Sequence, residues 1–213
     1  MKKPSIAKLD RQYPDHELLE KSVPKDPFLL FHHWFARAAQ AGLLDPHAMA
    51  VTTVNPKGKP SSRIVLLKAL DTKGFVFYTN YHSRKGKELQ RHPQTSLLFY
   101  WPELGRQVRV EGRAVRVSAK ESDDYFASRP RGSQLSAWAS HQSAVVKDRQ
   151  ELEKKIKKYE ALYKGIVPRP PHWGGYRVLP EAIEFWSGRR NRLHDRLRYR
   201  KKKGNWKIER LAP

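Results

Sequence analysis

Between Ala48 and Val117 the chain alternates short β-forming runs with turn tetrapeptides, and no other feature of its sequence constrains the fold as strongly. Ala48–Val54, Arg63–Ala69 and Gly74–Thr79 are strand-like, and Asn55-Pro56-Lys57-Gly58 and Asp71-Thr72-Lys73-Gly74 supply the residues that tight reversals need. Runs joined this closely form hairpins, so their pairing is antiparallel. Two further runs, Ser96–Trp101 and Gln107–Val117, bring the total to five, and five closely connected strands predict a closed or nearly closed barrel.

Helices flank this region. Asp26 and Pro27 open one as N-cap and first-turn proline; Phe28, Phe31, Trp34, Phe35 and Ala38 give it one apolar face, and Gly42 closes it. Ser83 caps a short basic helix that runs to His92 and stops at Pro93, while Glu121–Ser128 and Gln150–Lys164 are also helical in pattern. After a proline-rich bend at Pro168–Pro171 come four short strand-like runs, Tyr176–Leu179, Ala182–Trp186, Leu193–Arg200 and Trp206–Arg210. Residues 1–25 carry Pro4, Pro14 and Pro24 without a sustained period and read as a mobile arm, leaving 26–213 as one domain. The predicted class is α+β, a predominantly antiparallel barrel with surrounding helices.

Composition removes several chemistries. With no cysteine there is no disulfide, iron–sulfur cluster or thiolate nucleophile, and the nine scattered histidines show no metal-binding spacing, so no metal is expected. No run approaches the roughly 20 apolar residues of a membrane span, and the charged start lacks a signal core, so a cytoplasmic protein is expected. Lys plus Arg total 43 against 21 Asp plus Glu, a net charge of +22. That balance points to phosphate-bearing partners, with a solvated basic surface and nucleic-acid binding both open at this level.

Without a Gly-rich phosphate loop, any phosphate must be held by side chains and scattered N–H groups. Arg63 and Lys68 bracket an apolar strand core but, five apart, belong on opposite faces unless the strand twists or bulges; strand-end solvation is the competing explanation. Ser83-Arg84-Lys85 gathers a hydroxyl, two cations and helix N–H groups at one point, an anion site in outline. Tyr125 and Arg129, one helical turn apart, can close with Ser133 on a second phosphate, although capping and a surface tyrosine explain them equally well. If the segment after Trp186 is a strand, Arg192, His194 and Arg196 share a face, which is costly to bury unless it lines a site; the cations continuing to Lys203 show that solvation accounts for part of the run.

Taken in order, Arg63-Ile64-Val65-Leu66-Leu67-Lys68, Phe77-Tyr78-Thr79-Asn80, Ser83-Arg84-Lys85, Arg106-Gln107-Val108, Ser128-Arg129-Pro130-Arg131, Phe185-Trp186, Arg192-Leu193-His194-Asp195-Arg196 and Glu209-Arg210-Leu211-Ala212-Pro213 resemble the pyridoxamine 5′-phosphate oxidase family. The resemblance runs from about Leu9 to the C-terminus. It implies an FMN-binding split β-barrel, a homodimer, and oxygen-dependent oxidation of pyridoxamine or pyridoxine 5′-phosphate to pyridoxal 5′-phosphate. By the same resemblance the flavin contacts are Arg63, Ile64, Val65, Leu66, Leu67, Lys68, Tyr78, Thr79, Arg84, Lys85, Gln107, Gln142, Ser143, Trp186 and Arg196. Lys68, Tyr125, Arg129 and Ser133 correspond to holders of the substrate phosphate, and Arg192, Leu193 and His194 to residues over its ring. Arg11 and Tyr13 belong to an arm that closes on the substrate, and Asp45 matches a carboxylate in proton handling, although Asp45-Pro46 reads equally as a turn. A flavin reductase is the nearest rival and should lack the second phosphate cluster. A nucleic-acid module is the rival from another class, disfavoured because no zinc-finger spacing or aromatic ribonucleoprotein motif is present.

Overall fold

The structure, a computed structural model, describes Tyr13 and residues 16–213; Arg11 and the rest of the arm before Tyr13 lie outside the described residues. Helix α1 (Pro27–Gln40) starts where Asp26 accepts the Phe28 N–H at 2.9 Å and ends before Gly42, whose φ of 68° is left-handed. Nine strands follow or interleave with the later helices: β1 (Ala48–Val54), β2 (Pro60–Leu66), β3 (Ala69–Asp71), β4 (Gly74–Asn80), β5 (Gln94–Trp101), β6 (Arg106–Arg116), β7 (Trp173–Ser187), β8 (Asp195–Lys202) and β9 (Asn205–Arg210). The other helices are α2 (Arg84–Arg91), α3 (Ala119–Ala127), α4 (Arg131–Ala139) and α5 (Arg149–Leu162). The strands form one sheet in the order β2-β1-β5-β6-β7-β4-β3, with β8 on β7 and β9 on β8, and the pairings β1–β2, β3–β4, β4–β7, β7–β8 and β8–β9 are all antiparallel. The α+β, predominantly antiparallel class predicted from the hairpin signals is the class observed.

The chain clusters into two compact units: unit one holds the chain up to Pro46, Leu98–Val110 and Glu181–Pro213, and unit two holds His47–Leu97 and Glu111–Pro180. In unit one the apolar face of α1 is buried as its spacing predicts: Phe31 meets Phe99 at 4.9 Å and Trp34 meets Phe185 edge-on at 5.2 Å. Each such ring contributes about 1.5–3 kcal/mol by leaving water. In unit two the β1–β2 turn is closed by Asn55, whose Oδ1 accepts from the N–H groups of Lys57 and Lys59, and the β3–β4 turn by Asp71, which accepts from Lys73 and Gly74. Gly74 is obligatory, because a Cβ there would stand 2.0 Å from the Val178 carbonyl oxygen. Among the described residues no helix is long and apolar enough to cross a membrane.

Four expectations are corrected. The run Arg63–Ala69 is not one strand: β2 stops at Leu66, the Leu67 N–H still bonds to His47 beside β1, and the Lys68 N–H bonds to Val76 of β4. The chain changes partner there, so strict alternation no longer relates Arg63 to Lys68. Tyr176–Leu179 and Ala182–Trp186 are one strand, β7, running through Pro180. Pro180 is tolerated because it falls between the last rung with β4, at Val178, and the first with β8, at Ala182, where no ladder donor is needed on that side. Strand β8 begins at Asp195, not Leu193, because Asn191 and Arg192 are left-handed (φ 55° and 59°) within a 3₁₀ turn; Arg192, His194 and Arg196 therefore do not alternate along one strand. Helix α4 was not anticipated, since it starts after Pro130 with no side-chain cap.

Candidate active site

Unit two contains a cleft of about 430 Å³, within the range ligand sites occupy. It is lined by Ile64, Val65, Leu66 and Lys68 from the end of β2 and the link beyond it, Tyr78, Thr79 and Asn80 from β4, Lys85 from α2, Tyr125 and Arg129 from α3 and its end, and Ser136, Ala137, Ser140, Gln142 and Trp173. The partner exchange at Leu67–Lys68 puts the exposed Lys68 on the cleft while Leu67 turns into the core.

At one locus the cations converge. Ser83 caps α2 by accepting the Gly86 N–H, and Gly86 is forced, since a Cβ would stand 2.3 Å from the Tyr81 carbonyl oxygen. This close approach seats Lys85 in the interior at 8% exposure, where its Nζ donates to Thr79 Oγ1 at 3.1 Å and Gln142 Oε1 at 3.0 Å. No carboxylate among the described residues pairs with it. Burial, with the nearby charge of Arg63, pushes the Lys85 pKa down to about 8. Arg63 donates to Thr53 Oγ1 at 2.6 Å and to Ser61, and Arg84 donates to Glu88 at 2.9 Å. Burial pushes the Glu88 carboxyl up, but hydrogen bonds from Thr53 and Arg84 and the charges of Arg84 and Arg63 outweigh it and hold the group below its ordinary value. Gln142 and Ser143 lie on an exposed segment, Ser143 with a left-handed φ of 72°.

The second locus is aromatic. Tyr78 stacks on Tyr125 at 4.0 Å and on Trp173 at 5.4 Å, all three rings within 17° of parallel. The Arg129 guanidinium lies 4.5 Å over Trp173, and its Nη1 is buried with no hydrogen-bond partner among the described residues. A buried guanidinium nitrogen without an acceptor is expensive, and an anion in the cleft would supply one. Burial drives the Tyr78 pKa up to about 12, with Glu121 and Tyr125 adding to it, so its hydroxyl stays a donor, here to the Glu121 carbonyl at 3.3 Å. Ser133 sits in the first turn of α4 but does not line the cleft.

The remaining candidates belong to unit one. Trp186 and His194 stand 4.6 Å apart, and Tyr13 meets them edge-on at 5.4 and 5.7 Å. Gly105 and Gly188 make room for Tyr13: a Cβ on either would stand within 2.8 Å of its ring. The Arg189 N–H donates to His194 Nδ1 at 3.0 Å, so the neutral ring carries its proton on Nε2 and offers it as a donor. Burial, then the charge of Arg192, lowers the His194 pKa. Arg196 donates to the buried Glu184 at 2.8 Å and to the Ala212 carbonyl at 2.9 Å. Gln107 is half-buried on β6, Arg192 and Leu193 are exposed on the turn before β8, and Asp45 sits in an exposed turn with φ 49°.

Sequence reasoning missed Asn80, Ser136, Ala137, Ser140 and Trp173. Asn80 stood inside a quoted motif and Trp173 just before a strand run; the other three depend on α4, which the pattern did not reveal.

Comparison with known proteins supplies the lineage. A family model described as pyridoxamine 5′-phosphate oxidase matches residues 35–163, and one described as the pyridoxine 5′-phosphate oxidase C-terminal dimerisation region matches residues 173–213. The pyridoxine/pyridoxamine 5′-phosphate oxidase of Paraburkholderia xenovorans is 54% identical over 98% of this chain and 99% of its own length, and that of Rubrobacter xylanophilus is 54% identical over 98% and 96%. Among solved structures, PhzG from Burkholderia lata, crystallised with tetrahydrophenazine-1-carboxylic acid, superposes with a TM-score of 0.88 at 35% identity, covering 93% of this chain and 99% of PhzG. An FMN-binding protein of Nostoc punctiforme, 16% identical with a TM-score of 0.69 and covering 86% and 97%, shares the fold.

The class defined is that of the split-barrel oxidoreductases. Both family models fall within this class, and together they span the cleft and the Trp186–Arg196 segment. The chain belongs to the pyridoxamine 5′-phosphate oxidase family.

Proposed function

We propose that the protein oxidises pyridoxamine and pyridoxine 5′-phosphates to pyridoxal 5′-phosphate, with FMN as resident cofactor and oxygen as final acceptor, as a cytoplasmic homodimer. The observation that carries this reading is that two separate cations line one cleft without an anionic partner among the described residues: Lys85, near Arg63, and Arg129, whose buried Nη1 has no hydrogen-bond partner among them. Two phosphates, one of the flavin and one of the substrate, would meet them. The residues fit such a cofactor, since Gly86 keeps the backbone close enough to seat Lys85 and eight of the fifteen residues of the flavin set line this cleft.

When bound, FMN would supply the two-electron acceptor for the C4′ carbon, oxygen would take up those electrons as hydrogen peroxide, and with the amine substrate water would hydrolyse the resulting imine to the aldehyde and ammonia. Lys85, Arg63 and Arg84 offset the phosphate charge, and Thr79, Gln142 and Ser143 offer hydrogen bonds beside them. Lys68, Tyr125, Arg129 and Ser133 would hold the substrate phosphate, with the Tyr78–Trp173 wall excluding water behind it. Arg192 would pair with the phenolate oxygen of the ring, and His194 would donate a hydrogen bond through Nε2 while Arg189 fixes its other nitrogen. Gln107, Trp186 and Arg196 complete the flavin set, Tyr13 and Arg11 the closing arm, and Asp45 the proton handling.

The test is the visible spectrum of the purified protein without oxygen, before and after pyridoxine 5′-phosphate. Bleaching of a yellow protein is the expected result. A yellow protein that does not bleach assigns another substrate, and a colourless one that cannot be loaded with FMN removes the flavin reading.

A further inference from the structure

Glu88 is a buried carboxylate placed among the cations of the proposed flavin-phosphate locus, and the reaction makes no direct use of it. It is 5% exposed. Its Oε1 accepts from Arg84 Nε at 2.9 Å; its Oε2 accepts the Thr53 hydroxyl and lies 3.7 Å from Arg63 Nη2. Thr53, also buried, in turn accepts from Arg63 Nη1 at 2.6 Å. A carboxylate taken from water is costly unless its lone pairs are matched, and these are matched by one arginine directly and by the other through a hydroxyl relay. Among the described residues Lys85, beside them, has only the neutral acceptors Thr79 and Gln142.

Three cations and one carboxylate leave two positive charges at the locus, the complement of a phosphomonoester, whose charge near neutral pH is about −1.5 to −2. The geometry is also pre-set. Arg84 and Glu88 are one turn apart on α2, and the arginine side chain, 55% exposed, would otherwise sample many rotamers. Ordering it before the ligand arrives lowers the entropy lost on binding.

We infer that Glu88 is a positioning residue for the flavin phosphate, holding Arg84 directly and Arg63 through Thr53 while Lys85, with no carboxylate among the described residues, receives the anion. The inference rests on the flavin reading above.

Flavin-free protein titrated with FMN and, separately, with riboflavin, following flavin fluorescence, tests it. Glu88→Ala should raise the FMN Kd about ten-fold or more and that of riboflavin, which lacks the phosphate, less than about two-fold. Thr53→Val, which keeps the carboxylate but cuts the relay to Arg63, should raise the FMN Kd alone by about three-fold. Glu88→Gln, retaining one of the two acceptors, should fall between them, and these two variants decide the matter if Glu88→Ala does not fold. Equal losses for both flavins would mean general loosening and overturn the inference, as would unchanged FMN affinity. Tighter FMN binding by Glu88→Gln would also overturn it, by showing that the carboxylate acts only as an opposing charge. Wild-type protein that binds neither flavin overturns the flavin reading and the inference with it, whereas FMN-binding wild type with indifferent variants overturns the inference alone.

Discussion

Lys85→Met separates stability from binding, because the two effects have opposite signs. The Lys85 ammonium is held at 8% exposure with only neutral acceptors among the described residues, and its pKa falls from 10.5 to about 8 chiefly through burial. At about 1.36 kcal/mol per pH unit that displacement corresponds to roughly 3 kcal/mol of cost in keeping the charge folded. Solvent reaching the open side of the cleft screens part of it, leaving about 1–2 kcal/mol. The folded state holds the proton less tightly than the unfolded chain, so the cost is fully present below pH 8 and disappears as the pH rises toward 10.5. Methionine has similar length and no charge, and the Thr79 hydroxyl keeps its bond to Gln142. The flavin-free variant should therefore be more stable than wild type by about 1–2 kcal/mol at pH 7, with the advantage shrinking above pH 8. Its FMN affinity should fall about 10- to 100-fold through loss of a charge-assisted hydrogen bond worth roughly 1.5–3 kcal/mol. Urea unfolding at pH 7 and pH 10, with a fluorescence titration of FMN, gives both numbers. A destabilised variant that binds FMN as wild type does would refute the reasoning, since Lys85 would then be a structural cation and not a waiting anion partner.

Arg129→Met should leave FMN binding intact and raise the KM for pyridoxine 5′-phosphate by about 10-fold or more, with little change in thermal stability, because relief of the buried Nη1, which has no hydrogen-bond partner among the described residues, offsets the lost cation–π contact with Trp173. Gly86→Ala should cost about 3 kcal/mol or more, since the new methyl meets backbone oxygens of Tyr81 at 2.3 Å and Asn80 at 2.8 Å, and neither can swing away; a melting temperature unchanged within a degree would contradict this. The carboxyl of Glu20 is held at about 2, chiefly by the hydrogen bond from Arg210. Because the folded value is depressed, the stabilisation is complete above about pH 4.5 and is lost as the pH falls toward 2. Hydrogen exchange of residues 18–22 should accelerate over that interval beyond its intrinsic pH dependence, and in Arg210→Gln that extra pH dependence should vanish.

Hairpins and capped helices were legible in the sequence because their signals are local. Asn55 and Asp71 close their turns with bonds spanning two to four residues, and Asp26 and Ser83 cap their helices within three. The motif residues also announced much of the cleft: Lys68, Tyr78, Thr79, Lys85, Tyr125 and Arg129 all line it. Alternation failed at Leu67–Lys68 and at Pro180, where what matters is which strand lies alongside.

The sequence by itself determined the antiparallel class, the helix boundaries set by caps and glycines, and the family, because each of these is written in residue types a few positions apart. Tertiary structure alone decided which cations have partners. Arg63, Arg84, Lys85 and Arg129 read alike as basic residues, yet the first two are tied to Thr53 and Glu88 while Lys85 and a nitrogen of Arg129 are buried with no carboxylate among the described residues. The contact between Thr53 and Glu88 spans 35 positions and that of Arg129 with Trp173 joins separate elements, so only the folded chain sets their distances. The strength of an electrostatic site depends on those distances and on burial, neither of which is encoded locally.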